Sequence, residues 1–360
     1  MENTQNMVAM LNQIYSPAFL VQNGTIAHIN EAASQRLIAV GTPVQELLIT
    51  GAMEYPEFRD GCLYLTLRID GKSCGTSVTK MVDYDLFVLE QDADQQELAS
   101  MALSAQELRN PLSNVMAIAD NLFPLSSAEN DPHTQSQIAR INRGLYQMLR
   151  IVSNMSDAYR YSQDASPQLE LRDVTSVLQE IFDRNQALVC HTEISLSFQN
   201  SSECILSLVD TEKLERAVNN LISNSLKFTR TGGRIDAALT RRGRMLYLTV
   251  TDSGSDLRSQ NLNVFHRYLR LPGIEDGRFG IGLGMVLIRA AAVAHGGTVL
   301  MESLPQGGTR TTMTMLIRQP SDTTVRSAIL PIDYLGGRNH SLIELSEHLP
   351  ASLYQKENIN

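Results

Sequence analysis

Two long stretches of the chain carry apolar residues in alternating steps of three and four. Leu98, Met101, Ala105, Leu108, Leu112, Val115, Ala119 and Leu122 make one; Ile138, Ile141, Leu145, Met148, Val152 and Met155 make the other. Such seams bury a narrow stripe against a partner helix and predict two helices. The connection from Phe123 to Pro132 holds two prolines, Ser126, Ser127, Asn130 and Asp131, so the pair reads as an αα-hairpin. Two stripes alone make a thin core. A dimeric four-helix bundle through residues 93–165 completes it; a monomeric hairpin packed on neighbouring domains is the alternative.

Either side of the hairpin the pattern changes. Ala18–Val21 and Thr25–Ile29 flank Asn23-Gly24, a hairpin signal because a type I′ turn needs positive φ at both central residues. A helical run from Glu31 to Val40 stops at Gly41, and strand-like runs follow at Leu63–Ile69, Thr76–Val82 and Leu86–Leu89. This order of two strands, helices and three strands resembles a PAS-type sensor domain; His28 reads as an ordinary strand histidine.

Beyond residue 168 helices and strands alternate: a helix Thr175–Gln186, a strand near Ile194–Phe198, and a helix Thr211–Leu226 with Asp210 as its N-cap. Strands follow at Ile235–Thr240 and Met245–Asp252, then a helix Met285–His295 ended by Gly296-Gly297, and strands at Thr298–Ser303 and Arg310–Ile317. The predicted organisation is multidomain α+β: a PAS-like α/β sensor at 1–92, the dimerisation hairpin at 93–165, an α/β sandwich at 166–318 and a tail at 319–360. In the tail, Ile329–Leu335 and Leu342–Leu349 are apolar enough to dock on this chain or on another.

Composition narrows the functions. The 360 residues carry 30 Lys+Arg against 39 Asp+Glu, a net charge of −9, which argues against the phosphate backbone of nucleic acid as the main partner. At 43% hydrophobic the chain can build cores, and only 19% is charged, below the usual quarter or so, which hints at buried interfaces. No run approaches the roughly 18 apolar residues of a membrane span, and the N-terminus has no signal-peptide pattern. The four cysteines, Cys62, Cys74, Cys190 and Cys204, form no CxxC pair; they read as reduced thiols of a cytoplasmic protein, with His191 beside Cys190 a local pair and not half a metal site.

Three clusters beyond residue 168 carry chemistry. In Asn220-Leu-Ile-Ser-Asn224-Ser-Leu-Lys227-Phe228, two amides four apart share a helix face. An amide oxygen is a hard ligand suited to Mg²⁺, and a lysine reaches phosphate as a point charge. In Asp252-Ser-Gly254-Ser-Asp256 a carboxylate at a strand end can accept a purine amine, and Gly254 lets the backbone approach the base. Gly280-Ile-Gly282-Leu-Gly284 opens a helix whose free amides suit phosphate.

In this order the clusters resemble the N, G1 and G2 boxes of the ATP-binding domain of sensor histidine kinases. Val264-Phe-His-Arg267-Tyr268 stands where that family has its F box and lid, and Gly296-Gly297 and Gly307-Gly308-Thr309 also match. The resemblance covers roughly residues 95–318. It implies that Asn224 ligates Mg²⁺ beside Asn220, that Lys227 contacts phosphates, and that Asp252 reads adenine with Gly254 admitting it. Gly280, Gly282 and Gly284 then shape the phosphate end, and the lid offers Arg267 or Arg270 to the γ-phosphate. Asp256 departs from the pattern, where a second glycine is usual.

The hairpin carries Ser104-Ala-Gln106-Glu107-Leu-Arg-Asn110-Pro-Leu112, which resembles the family's H box with its phosphoacceptor histidine replaced by Gln106. An imidazole attacks phosphorus through a free lone pair; the lone pair of a glutamine amide is delocalised. His133, in the inter-helix connection, is no substitute. Glu107 and Asn110 match the family's phosphatase motif, in which an amide orients water against an aspartyl phosphate; alternatively Asn110-Pro111 simply marks a helix bend. The resemblance therefore implies a two-component protein that binds Mg-ATP and a response regulator, with autokinase activity lost and phosphatase activity retained. Two alternatives stand beside it: a non-enzymatic, nucleotide-gated partner that heterodimerises with an active histidine kinase, and a chain that passes phosphate from bound ATP to a histidine on another chain.

Overall fold

The computed structural model describes residues 2–36, 38–90, 92–122, 132–162, 167–200, 204–254, 283–319 and 338–355. The N-terminal unit comprises α1 (Glu2–Leu11), β1 (Ala18–Gln22), β2 (Thr25–Ile29), α2 (Glu31–Ser34), α3 (Glu54–Glu57), β3 (Cys62–Ile69), β4 (Lys72–Lys80) and β5 (Asp85–Leu89). Its antiparallel sheet runs β2-β1-β5-β4-β3. Asn23 and Gly24 take φ of 51° and 77°, and Asp70 and Gly71 take 52° and 73°, so both tight hairpins use the left-handed turn their residues favour. The expected helix to Val40 is only one turn long. Asn30 caps it by accepting from Ala33 N at 2.9 Å, and its Nδ2 donates to Ile14 O and Ser16 O, each at 2.8 Å. Helix α1, which the sequence pattern did not signal, covers Ala18 and Leu20 on one face of β1; Phe19 and Val21 enter the core on the other.

The hairpin consists of α4 (Asp92–Leu122) and α5 (Pro132–Ser162), packed along their lengths. Pro111 lies inside α4, where it removes the N–H that would bond the Glu107 carbonyl. The stripe splits cleanly. Leu98, Ala105, Leu112 and Ala119, seven apart, are buried; Leu108 and Val115 are 52% and 50% exposed. On α5, Leu145 and Val152 are buried while Ile141 and Met148 are each 48% exposed.

The third unit contains β6 (Glu170–Asp173), α6 (Val174–Val189), β7 (Ser195–Asn200), β8 (Leu206–Val209), α7 (Thr211–Phe228), β9 (Arg234–Arg242), β10 (Met245–Asp252), α8 (Leu283–Ala294), β11 (Val299–Ser303) and β12 (Thr309–Leu316). Its sheet runs β11-β12-β10-β9-β7, with β7 and β9 parallel. The β6-β8 pair forms a small separate sheet.

Two features of the whole had no local sequence signal. First, β3 pairs with β11 (Tyr64↔Val299, Leu63↔Leu300, Cys62↔Met301), which joins the two sheets into one of ten strands. The pleat sends neighbours to opposite faces: Cys62 and Tyr64 enter the core of the third unit, while Leu300 packs into the core of the first. Arg289 of α8 seals the junction, 2.9 Å from Glu90 and over the Tyr64 ring, whose hydroxyl donates to Glu90 at 3.1 Å. Second, the tail docks on this chain. Helix α9 (His340–Glu344) and a 3₁₀ turn at Ala351–Tyr354 pack against α5, α6 and α7. The expected Ile329–Leu335 segment lies outside the described residues.

Candidate functional site

Helix α7 carries the first cluster. Asp210 starts it, its carboxylate accepting from Lys213 N and pairing with Lys213 Nζ, each at 3.0 Å. The Asp210 backbone N–H donates to His295 Nε2 at 3.0 Å. That fixes the tautomer: His295 Nδ1 carries the proton and donates to Ala291 O at 2.7 Å. Burial depresses the His295 pKa, so the ring stays neutral and ties the end of α8 to the start of α7.

The two amides of α7 differ in environment. Asn220 is fully buried; its Nδ2 donates to Arg216 O at 2.9 Å, and its Oδ1 has no partner among the described residues. A Cβ added at Gly284 would lie 2.6 Å from that oxygen, so glycine at 284 is what lets α8 approach α7. Asn224, one turn on, is partly exposed, and its side chain makes no hydrogen bond with the described residues. Of the two, Asn220 faces the α8 glycine and Asn224 is partly exposed. Lys227 is half-buried, its Nζ 5.5 Å from the centre of the Phe228 ring.

Asp252 ends β10 and is 6% exposed. Its Oδ1 accepts from Gly254 N at 2.9 Å and from Thr309 N at 3.3 Å; among the described residues Oδ2 accepts nothing. Burial raises its carboxyl above the ordinary value, against the pull of those two N–H groups. Two glycines bring the backbone in. A Cβ on Gly254 would stand 2.5 Å from Phe228 O, and one on Gly308, at φ +91°, 2.1 Å from Asp252 O. Residues Asp256, Val264–Tyr268 with Arg267, Arg270, Gly280 and Gly282 lie outside the described residues.

Two contacts tie these residues to α7: Gly254, beside Asp252, lies against Phe228 at its end, and Gly284 lies against Asn220 at its middle, with Asn224 and Lys227 on the helix between and beside them. A buried carboxylate at one end can take an amine donor, and an amide oxygen and an ammonium at the other suit a hard cation and anionic oxygens. Helix α8 begins against the hairpin: Leu283, Val286 and Leu287 cluster with Leu98 and Ala158, with Met101 and Tyr159 packed on them. Gln106, Glu107 and Asn110 lie on the exposed side of α4, with Gln106 about 7.5 Å along the helix from Met101 by helical rise.

Sequence reasoning missed one group. Arg216 of α7 is 5% exposed and bonds both Asp157 of α5 and, at 2.7 Å, Glu344 of the tail. The signal available was a basic residue in the middle of an otherwise buried helix turn, Arg216-Ala217-Val218-Asn219.

Residues 209–319 match the family described as Histidine kinase-, DNA gyrase B-, and HSP90-like ATPase. The sensor histidine kinase RppB of Synechocystis sp. is 28% identical over 215 residues, 58% of this chain and 46% of that protein. The adaptive-response sensory kinase SasA of the same organism is 25% identical over 245 residues, covering 64% of this chain and 63% of its own. CusS, a sensor histidine kinase of Escherichia coli, is 27% identical over 206 residues, 56% of this chain and 42% of that one. The chain therefore spans about half the length of the curated relatives it matches. Among solved structures, full-length ShkA in complex with AMPPNP shares the fold at a TM-score of 0.50 and 18% identity, over 62% of this chain and 47% of that one. Residues 209–319 therefore match a histidine kinase-type ATPase domain, and over more than half of its length the chain is similar to sensor histidine kinases.

Proposed function

We propose that this chain binds Mg-ATP and works in two-component signalling with a response regulator, but has lost autophosphorylation at its own hairpin. The observation that carries this is the contrast between the two halves of the machinery. Asp252 and Gly254 lie against the C-terminal end of the helix that carries Asn224 and Lys227, which supports a nucleotide site, while the exposed α4 position that should hold a nucleophile is Gln106.

The residues divide the work by chemistry. The Asp252 Oδ2, which accepts nothing among the described residues, suits the exocyclic amine of adenine, and Gly254 leaves room for the ring. Asn224 would hold Mg²⁺, which when bound neutralises phosphate charge, and Lys227 would take a phosphate oxygen. Asn220 keeps α7 and α8 at the spacing the pocket needs. Glu107 and Asn110 stand exposed beside Gln106, open to a response regulator, which supports retained phosphatase activity. ATP and response regulators are cytoplasmic, so this reading places the protein there; among the described residues no helix is long and apolar enough to cross a membrane.

The half-exposed stripe of Leu108, Val115, Ile141 and Met148 supports a dimer. A heptad seam shows one set of positions to its own hairpin partner and the other to a second pair of helices. The antiparallel sheet order β2-β1-β5-β4-β3 supports a PAS-type sensor. A second reading, a non-enzymatic partner of an active kinase, is favoured by the same Gln106 together with the same exposed stripe.

Labelling with γ-labelled ATP compares the natural chain with Gln106→His. Only the variant is expected to incorporate label, and in an acid-labile form. Label on the natural chain would place the acceptor elsewhere. Label on neither would favour the non-enzymatic partner.

A further inference from the structure

We propose that residues 338–355 are a releasable strap that clamps the third unit against helix α5 and so fixes where α7 stands relative to the hairpin. The strap rests on packing and charge; its bearing on phosphate chemistry rests on the nucleotide reading above.

The segment lies between two rails. On the α5 side, three side chains on two neighbouring turns bond its backbone: Asn142 Nδ2 donates to Tyr354 O at 3.0 Å, and Gln147 Nε2 to Ser346 O at 3.1 Å. Arg143 donates to Ser346 O at 3.0 Å and to Glu347 O at 2.8 Å. Tyr146 meets Tyr354 edge to face, with centroids 5.3 Å apart. On the α7 side, His340 lies 3.3 Å from Glu215, and Ser341 Oγ donates to Asn219 Oδ1 at 3.3 Å.

Glu344 joins the rails. It is 1% exposed, with one oxygen 2.7 Å from Arg216 of α7 and the other 3.3 Å from Arg150 of α5. Arg150 also pairs with Glu347 at 2.8 Å and donates to Ser223 Oγ at 2.9 Å, the residue next to Asn224. A buried carboxylate shared by one arginine of each body ties them together; without it Arg216 keeps only Asp157 and Arg150 only the half-exposed Glu347, and the charge link through the strap is lost. The docked segment thereby pins the turn of α7 that carries the amide expected to hold the metal.

Release is built in as well. Ser346 Oγ and His348 Nε2 are buried without hydrogen-bond partners among the described residues, so docking leaves polar groups unsatisfied that water would serve. Residues 320–337 separate the strap from β12. Eighteen residues reach about 60 Å when extended, so the strap can leave without unravelling the sheet. A segment of this kind belongs to the low-stability end of the molecule, where local opening precedes global unfolding.

Hydrogen exchange on the full chain tests this, comparing the natural protein with Glu344→Gln, which keeps the shape and removes the charge. Peptides covering 340–354 and 142–150 are expected to exchange at least tenfold faster, with β9, β10, β3 and β4 unchanged and the radius of gyration increased. Exchange of 340–354 at the natural rate overturns the strap. So does acceleration of the sheet by the same factor, or failure of Glu344→Gln to fold while Arg143→Gln, which strands no buried charge, leaves 340–354 unchanged; either makes the segment an inseparable part of one core. In a Gln106→His background the same substitution is expected to change labelling from ATP at least threefold. No labelling there would count against the nucleotide reading, while the exchange result would still decide the strap.

Discussion

At the scale of single residues, burial decides more than identity. Asn220 and Asn224 are the same amide one turn apart, yet only Asn224 is partly exposed, because Gly284 draws α8 onto Asn220. The local spacing of Asp252 and Gly254 marks both as candidate site residues, since a carboxylate two residues before a glycine at a strand end is a feature of the chain itself. His348 was not legible. It is buried beside Arg150, Arg143 and Lys227, with Glu347 the opposing charge, and its pKa falls from 6.5 to about 4. The imidazole is neutral at pH 7, so its 3.9 Å approach to Glu347 carries no ion pair there. A released tail binds the proton near pH 6.5 and the docked tail does not. Docking is therefore at full strength above pH 6.5 and loses roughly 1.4 kcal/mol per unit as pH falls toward 4. Exchange protection of 340–354, corrected for intrinsic rates, is expected to drop about fivefold between pH 6.5 and 5.5, and to stay flat in His348→Gln. A flat profile in the natural protein would refute this.

At the scale of elements, the seven-residue rhythm in α4 and α5 was visible in the sequence, but which half of it the hairpin uses was not. Leu98, Ala105, Leu112 and Ala119 are buried within the chain, leaving Leu108 and Val115 half exposed. Val115→Asp is accordingly expected to turn a dimer into monomers in sedimentation while changing monomer stability by no more than about 0.5 kcal/mol. A natural chain that sediments as a monomer, or a variant that still dimerises, would show the exposed half to be ordinary surface. Helix α7 illustrates the opposite limit. Its N-cap and length were readable from Asp210 and the apolar pattern, whereas the burial of Arg216 depends on partners 59 and 128 residues away. No local pattern encodes such a pair.

At the scale of the whole molecule, the sheets of the N-terminal and third units are one. An edge strand is a row of unmet backbone groups, and β11, with Val299, Leu300 and Met301, satisfies its own on β3. Cys62 and Met301 stand opposite each other with side chains on the same face. Directly paired antiparallel residues have Cα atoms about 4.5–5.5 Å apart, within disulfide reach. Met301→Cys is expected to form a bridge to Cys62 under mild oxidation, detectable by peptide mapping, whereas Leu300→Cys, facing the other core, is not. Absence of the first bridge in folded protein would mean the two sheets are separate in solution.

What the sequence by itself determined is local or periodic: the hairpin, the turns at Asn23-Gly24 and Asp70-Gly71, the capped helix α7, and the three clusters whose order points to a nucleotide and to a hairpin without its histidine. Turn chemistry, helical periodicity and short motifs act over a few residues, so they are written in the chain. The tertiary structure alone decided the rest. It chose Asn224 over Asn220 as the partly exposed amide, closed β3 on β11, and brought Glu344 between Arg150 and Arg216. Those outcomes follow from which surfaces meet once each unit has formed, where unmet strand edges and buried charges find partners far away in sequence.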